Sequence, residues 1–189
     1  MESTKNTQKT LKTLSELIQV LDEEERTNYT AILKSMKLPI AEFEKYATWS
    51  KTCYTRNCIA VNEKFELILL CWEEGQITGI HDHGGEECWV YIIEGDFKEH
   101  IYKENKSGEL KIIKTINSKP RDIAYMIDFM GFHDLQNTSN KRSMSLHLYA
   151  KPIKSCKVYN SKKNKFVSKE LTYDNVKSTD LSKTIKTYV

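Results

Sequence analysis

The stretch Glu87–Tyr102, ECWVYIIEGDFKEHIY, holds two short runs rich in β-branched and aromatic residues, parted by the turn signal EGD. Runs of the same kind lie on both sides of it. FELILLCW (65–72) precedes it, and ELKIIKTI (109–116), DIAYMIDF (122–129) and SMSLHLYA (143–150) follow. EEGQ, GG, ENKSG, NSKP and NTSNK punctuate the series. Many short strands at regular spacing predict an antiparallel barrel or sandwich over about 52–170. Before residue 50 the period is helical instead: Leu11, Leu14, Leu17, Ile18 and Leu21 share one face. A second short helix is expected around Ile32, Leu33 and Met36. Pro39 suits the first turn of a third, ending near Trp49. The polar end, rich in Lys, Ser and Thr from Ser161, predicts one further strand and a loose tail over about 171–189.

The chain has 189 residues, enough for one domain with a helical N-terminal part and a buried core. Its 29 basic and 26 acidic side chains are interspersed, so charge makes no case for nucleic acid or a membrane surface. No apolar stretch approaches the roughly 20 residues of a membrane helix, and the polar start MESTKNTQKT carries no signal-like apolar segment. The five cysteines, Cys53, Cys58, Cys71, Cys88 and Cys156, contain no CxxC pair, which fits a reducing compartment and a cytoplasmic protein. Cys53, Cys58 and Cys71 are expected in the core.

The chemistry concentrates in HDH, residues 81–83. On an extended chain His81 and His83 point to the same side, so both imidazoles can reach one ion. His133, in GFHDLQN (131–137), is the natural third ligand. A lone histidine is ordinarily a surface or hydrogen-bonded residue, and His100 is assigned to a solvent face on that ground. Glu86 and Glu87 read as loop acids.

These spacings resemble the two metal motifs of the cupin superfamily: Gly75, His81, His83 and Gly95 match the first, and Gly131, His133 and Asn137 the second. An acid normally stands after the HxH. Counting from His83 allows Glu87 or Cys88, while counting back from Gly95 selects Cys88. With that cysteine, YTRN (54–57) and SLHLY (145–149), the chain resembles eukaryotic-type cysteine dioxygenase over most of its length. The resemblance implies a cupin-type, jelly-roll-like barrel. It also implies one iron(II) on His81, His83 and His133, and a monomer acting on L-cysteine and dioxygen.

Arg56 would grip the substrate carboxylate through its planar fork, helped by Tyr54. Tyr149 would face substrate and oxygen, supported by His147 and Ser145, and a thioether would join Cys88 to Tyr149. Cys156 matches a cysteine near the substrate entrance, and Trp72 would stand near the pocket wall, although packing alone accounts for Trp72 and Met126. Related dioxygenases of 3-mercaptopropionate tend to carry glutamine where Arg56 stands, so Arg56 points to cysteine. Three histidines also suit a hydrolytic zinc site, which metal analysis would separate, or a non-enzymatic metal-binding cupin, a reading that leaves the Ser145, His147, Tyr149 row without a purpose.

Overall fold

The computed structural model describes residues 10–175. Two antiparallel sheets face one another. The larger has strand order β1 (Thr55–Val61), β2 (Glu66–Trp72), β8 (Ser143–Tyr149), β3 (Cys88–Glu94) and β6 (Ile123–Met126). The smaller runs β5 (Leu110–Ser118), β4 (Phe97–Glu104) and β7 (Phe132–Asn137), and β9 (Ser155–Asn160) and β10 (Lys165–Glu170) form a separate pair. Together they make a mainly β, cupin-type barrel with helices at its N-terminal side.

The helices α1 (Leu14–Glu23), α2 (Tyr29–Lys34) and α3 (Ala41–Glu44) cover the outer face of the large sheet. Thr13 caps α1, its hydroxyl accepting from the Glu16 amide at 3.1 Å. Leu14, Leu17 and Leu21 pack with Leu67, Leu69, Leu146 and Leu148 in one core. Each such leucine contributes about 1.5–3 kcal/mol by leaving water. A second core lies between the sheets, where Ile68, Leu70, Trp72, Val90 and Ile92 meet Phe97 and Leu135. The two strands between these cores, β2 and β8, are therefore buried along their whole length. That is why FELILLCW lacks a simple alternation of polar and apolar residues.

The turn at Gly95 carries the chain from the large sheet to the small one. Gly95 has φ +91°, and a side chain there would strike Ser143, so only glycine fits.

Some expectations need correction. The third helix ends at Glu44, well before Trp49. Beyond it the chain is drawn to β1, with the Thr48 carbonyl accepting from the Thr55 hydroxyl at 2.6 Å and the Thr48 hydroxyl bonding Asn57 Oδ1 at 2.6 Å. Cys53 is exposed because it lies in the polar loop ahead of β1, whereas Cys58 and Cys71 sit in buried strands. The first residues of the expected tail are ordered as a strap over β1. The Asp174 amide donates to the Arg56 carbonyl, its carboxylate Oδ2 accepts from the Arg56 amide, and the Asn175 side chain brackets the Cys58 amide and carbonyl. The remainder of that tail lies outside the described residues.

Candidate metal centre and substrate cavity

His81 and His133 are neighbours through the backbone before they are neighbours through their rings. Their amides and carbonyls exchange two hydrogen bonds, at 2.9 and 3.0 Å, which docks the loop ahead of β3 onto β7. His83 follows two residues on, its amide held by Asp128 Oδ1 at 2.8 Å, and Asp128 Oδ2 takes the Gly85 amide at 2.6 Å. Asp82, between the histidines, points away and accepts from the Lys157 amide at 2.8 Å. Gly131, with φ +123°, admits the turn into β7, since a side chain there would meet the Tyr102 carbonyl at 2.2 Å.

The outcome is one cluster in which a ligand atom from each of His81, His83 and His133 lies within 4.8 Å of the others. His83 and His133 are almost wholly buried. Burial, reinforced by the neighbouring His133, holds His81 down to about 3 and His83 well below the ordinary imidazole range, so both are neutral and have lone pairs to donate. His133 Nδ1 faces Glu99 Oε1 at 2.6 Å, and the buried His133 Nε2 has no partner. His81 Nδ1 lies 2.9 Å from the Gly79 carbonyl, which likewise directs its other nitrogen inward. His83 Nδ1 is also buried without a partner. Orphaned imidazole nitrogens facing one another, with a carboxylate behind one of them, fit a borderline transition metal.

Neither loop acid is a candidate ligand. Glu87 accepts from the Tyr125 hydroxyl at 2.7 Å and pairs with Arg26 at 3.1 Å. Cys88 occupies the acid position, buried beside the centre. It lies directly opposite Tyr149 in the β3–β8 register, with the thiol and phenol in hydrogen-bonding contact.

The cavity beside the histidines, about 50 Å³, is walled by Tyr54, Arg56, His147, Tyr149 and Cys156 among others. The strand parity of β8 aims Ser145, His147 and Tyr149 inward and Leu146 and Leu148 toward the helices. Ser145 Oγ lies 2.9 Å from His147 Nε2 and receives the Trp72 indole N–H at 3.0 Å. The indole can only donate, so it fixes Ser145 Oγ as its acceptor and holds that hydroxyl against His147 Nε2. Burial, with Arg56 adding to it, keeps His147 neutral, whereas burial reinforced by Cys88 pushes the Tyr149 phenol well above its usual range against the pull of Arg56. Trp72 is therefore more than packing: it donates into this row and stacks on Tyr54, ring centroids 4.7 Å apart.

Arg56 is 13% exposed, its guanidinium touching the Tyr149 hydroxyl. Its Nε and Nη2, the two nitrogens of one edge, are buried and unpartnered. That edge is a carboxylate fork.

Three contributors escaped the sequence reading. Glu99 stands on the inward parity of β4 between Phe97 and Ile101, an acid where the alternation calls for an apolar residue. Glu66 is the single acid of the wholly buried strand β2. Asp128, in the short helical turn 128–130, had no local signal. His100, expected at a solvent face, is half-buried, because β7 lies beside β4 and sets Asp134 Oδ1 2.9 Å from its Nδ1.

The fold and site together define a cupin with a three-histidine centre suited to a metal. A family model, cysteine dioxygenase type I, matches residues 1–162. The chain belongs to that family. "Cysteine dioxygenase type 1" of Rattus norvegicus is 32% identical over 161 residues, covering 80% of each chain, and the Homo sapiens protein of that name matches to the same extent. Among solved structures, a double-stranded β-helix protein from Klebsiella pneumoniae superposes with a TM-score of 0.48 at 16% identity, over 57% of this chain and 80% of its own.

Proposed function

We propose that this protein is an iron(II) thiol dioxygenase that converts L-cysteine and dioxygen to cysteine sulfinate. The observation that carries the substrate assignment is the empty Arg56 edge, two buried donors waiting in the cavity that the histidines also line. An amino acid offers one carboxylate to fill it. Membership of the family and the names of its relatives support the same substrate.

His81, His83 and His133 would hold the iron, which when bound supplies a Lewis-acidic centre for the thiolate and for oxygen activation. Three neutral imidazoles leave the ion its full positive charge, which favours an anionic thiolate. Arg56 fixes the carboxylate through two parallel bonds, and orientation of this kind supplies much of the rate. Tyr54, stacked on Trp72, bounds the cavity beside Arg56. Tyr149 presents its hydroxyl to the reacting sulfur. The chain Trp72 to Ser145 to His147 holds that side of the cavity in one arrangement. Both oxygen atoms end on sulfur, and sulfur supplies the electrons, so no external reductant enters.

The opposition of Cys88 and Tyr149 supports a thioether between Sγ and the phenol ring, formed with loss of one hydrogen from each and with dioxygen as oxidant. No helix among the described residues is long and apolar enough to cross a membrane, and the reading includes a cytoplasmic monomer.

The test is oxygen uptake by anaerobically iron-loaded protein with L-cysteine and, separately, 3-mercaptopropionate, with sulfinate quantified. Uptake matched by cysteine sulfinate is expected, with little from the acid that lacks an amine. No uptake with L-cysteine would end this reading.

A further inference from the structure

Glu66 is completely buried, one strand away from the Arg56 fork. Its Oε1 lies 3.9 Å from Arg56 Nη2, too far for a hydrogen bond and near enough for charge. Both of its oxygens are engaged elsewhere: Oε2 takes the Ile153 amide at 3.1 Å, and Oε1 accepts from the Tyr173 hydroxyl. Tyr173 arrives on the strap that Asp174 and Asn175 pin to β1. The guanidinium thus has a resident counter-charge that leaves its donor edge free.

A docking carboxylate would add a second anion to the same guanidinium inside a dry cavity. Two carboxylates sharing one cation at such range do not both remain ionised. The surroundings of Glu66 show which group yields. Facing it are Arg56 and Cys58 from β1, Tyr149 from β8, Cys88 from β3 and Tyr173 from the strap. Burial pushes the Cys58 thiol up to about 12 and raises Cys88, Tyr149 and Tyr173 above their usual ranges, so all four are neutral. Arg56 stays cationic. Burial also raises Glu66, against the opposing pull of Tyr173, Ile153 and Arg56. The Tyr173 hydroxyl has an alternative acceptor in the Cys58 sulfur, with which it is also in contact. It can therefore turn its proton toward that sulfur and accept a hydrogen bond from a protonated Glu66 in return.

We propose that Glu66 takes up a proton when a carboxylate docks on Arg56, with the Tyr173 hydroxyl turning toward Cys58 so that its oxygen accepts a hydrogen bond from the protonated Glu66, and that binding of a carboxylate-bearing thiol is thereby linked to proton uptake. Glu66 and Tyr173 are positioning residues in this scheme. It rests on the reading of Arg56 as the carboxylate site.

The experiment counts protons on binding. Full-length iron-loaded protein is titrated anaerobically with L-cysteine in buffers of different ionisation enthalpy, for the wild type and for Glu66→Gln. Protons released by thiol and amine are common to both and cancel in the difference. The wild type is expected to take up more protons than E66Q, approaching one more. Its affinity should fall with rising pH more steeply than that of E66Q, by up to about tenfold per unit. Cysteamine, which lacks the carboxylate, should show no such difference. Equal proton counts for L-cysteine, or a difference that persists with cysteamine, would overturn the proposal. If L-cysteine does not bind the wild type at all, the substrate reading falls and this one with it.

Should E66Q not fold, Tyr173→Phe decides. Loss of the phenol donor leaves Glu66 already protonated before docking, so uptake shrinks, and an unchanged count overturns the scheme.

Discussion

Glu99 offers the sharpest test of how the barrel prepares its metal centre. Its carboxylate is 3% exposed and lies 2.6 Å from His133 Nδ1, at the short end of charge-assisted hydrogen bonds. It therefore fixes the proton on Nδ1 and leaves Nε2, the orphaned nitrogen, as the donor to metal. Glu99→Gln keeps the shape and can offer its amide oxygen, so it loses the charge but not the bond. Glu99→Ala loses both and leaves a buried imidazole N–H unsatisfied, a cost of about 1–3 kcal/mol. Partners of this kind are worth about 10–100-fold in metal affinity. E99Q is expected near the lower figure and E99A near the upper, or about 1.4 and 2.7 kcal/mol. Competition with a chromophoric chelator measures both, with circular dichroism confirming that each variant is folded. Folded E99A that holds iron within twofold of the wild type would refute the reasoning, because His133 would then need no orienting partner.

Replacing Arg56 with Lys keeps the charge and removes the fork, so KM for L-cysteine should rise about tenfold or more while metal affinity stays unchanged. A KM within a factor of two would show that charge alone suffices. After repeated turnover, the wild-type chain should be lighter by two hydrogens on intact mass spectrometry, and Cys88→Ser and Tyr149→Phe should not. A loss of mass in C88S would place any crosslink elsewhere. His81, held down to about 3 in the fold, must charge on unfolding, where its value is about 6.5. The unfolded state thus binds the extra proton, and metal-free protein should lose stability as pH falls through that window. A melting temperature flat from pH 6.5 to 4 would contradict the buried, neutral state assigned to His81.

Much of the barrel was legible locally, because each run of β-branched and aromatic residues folds as a strand whatever its partner. FELILLCW, ECWVYII and SMSLHLYA are strands β2, β3 and β8. Their spatial order was not legible, since β8 inserts between β2 and β3 through pairings remote in sequence. The histidine pair in HDH could be read from spacing. The backbone exchange that sets His81 against His133 could not, for it depends on where a loop meets β7. Arg56 and the SLHLY row stood out through resemblance and parity, whereas Glu66 and Glu99 were visible only as acids in the wrong places. Their meaning comes from what lies across the sheet: the strap in one case, His133 in the other. Cys53 shows the converse error, an apolar residue type taken for core in a loop that no strand covers.

The register that sets Cys88 opposite Tyr149 has a consequence for the history of each molecule. A bond between them would close a loop of about sixty residues across two adjacent strands of the large sheet, and by chain entropy would stabilise the fold by about 4 kcal/mol. A sample would then be a mixture of ages. Freshly made chains would melt first, veterans of catalysis would melt last, and the breadth of the melting curve would record how long the population had been at work.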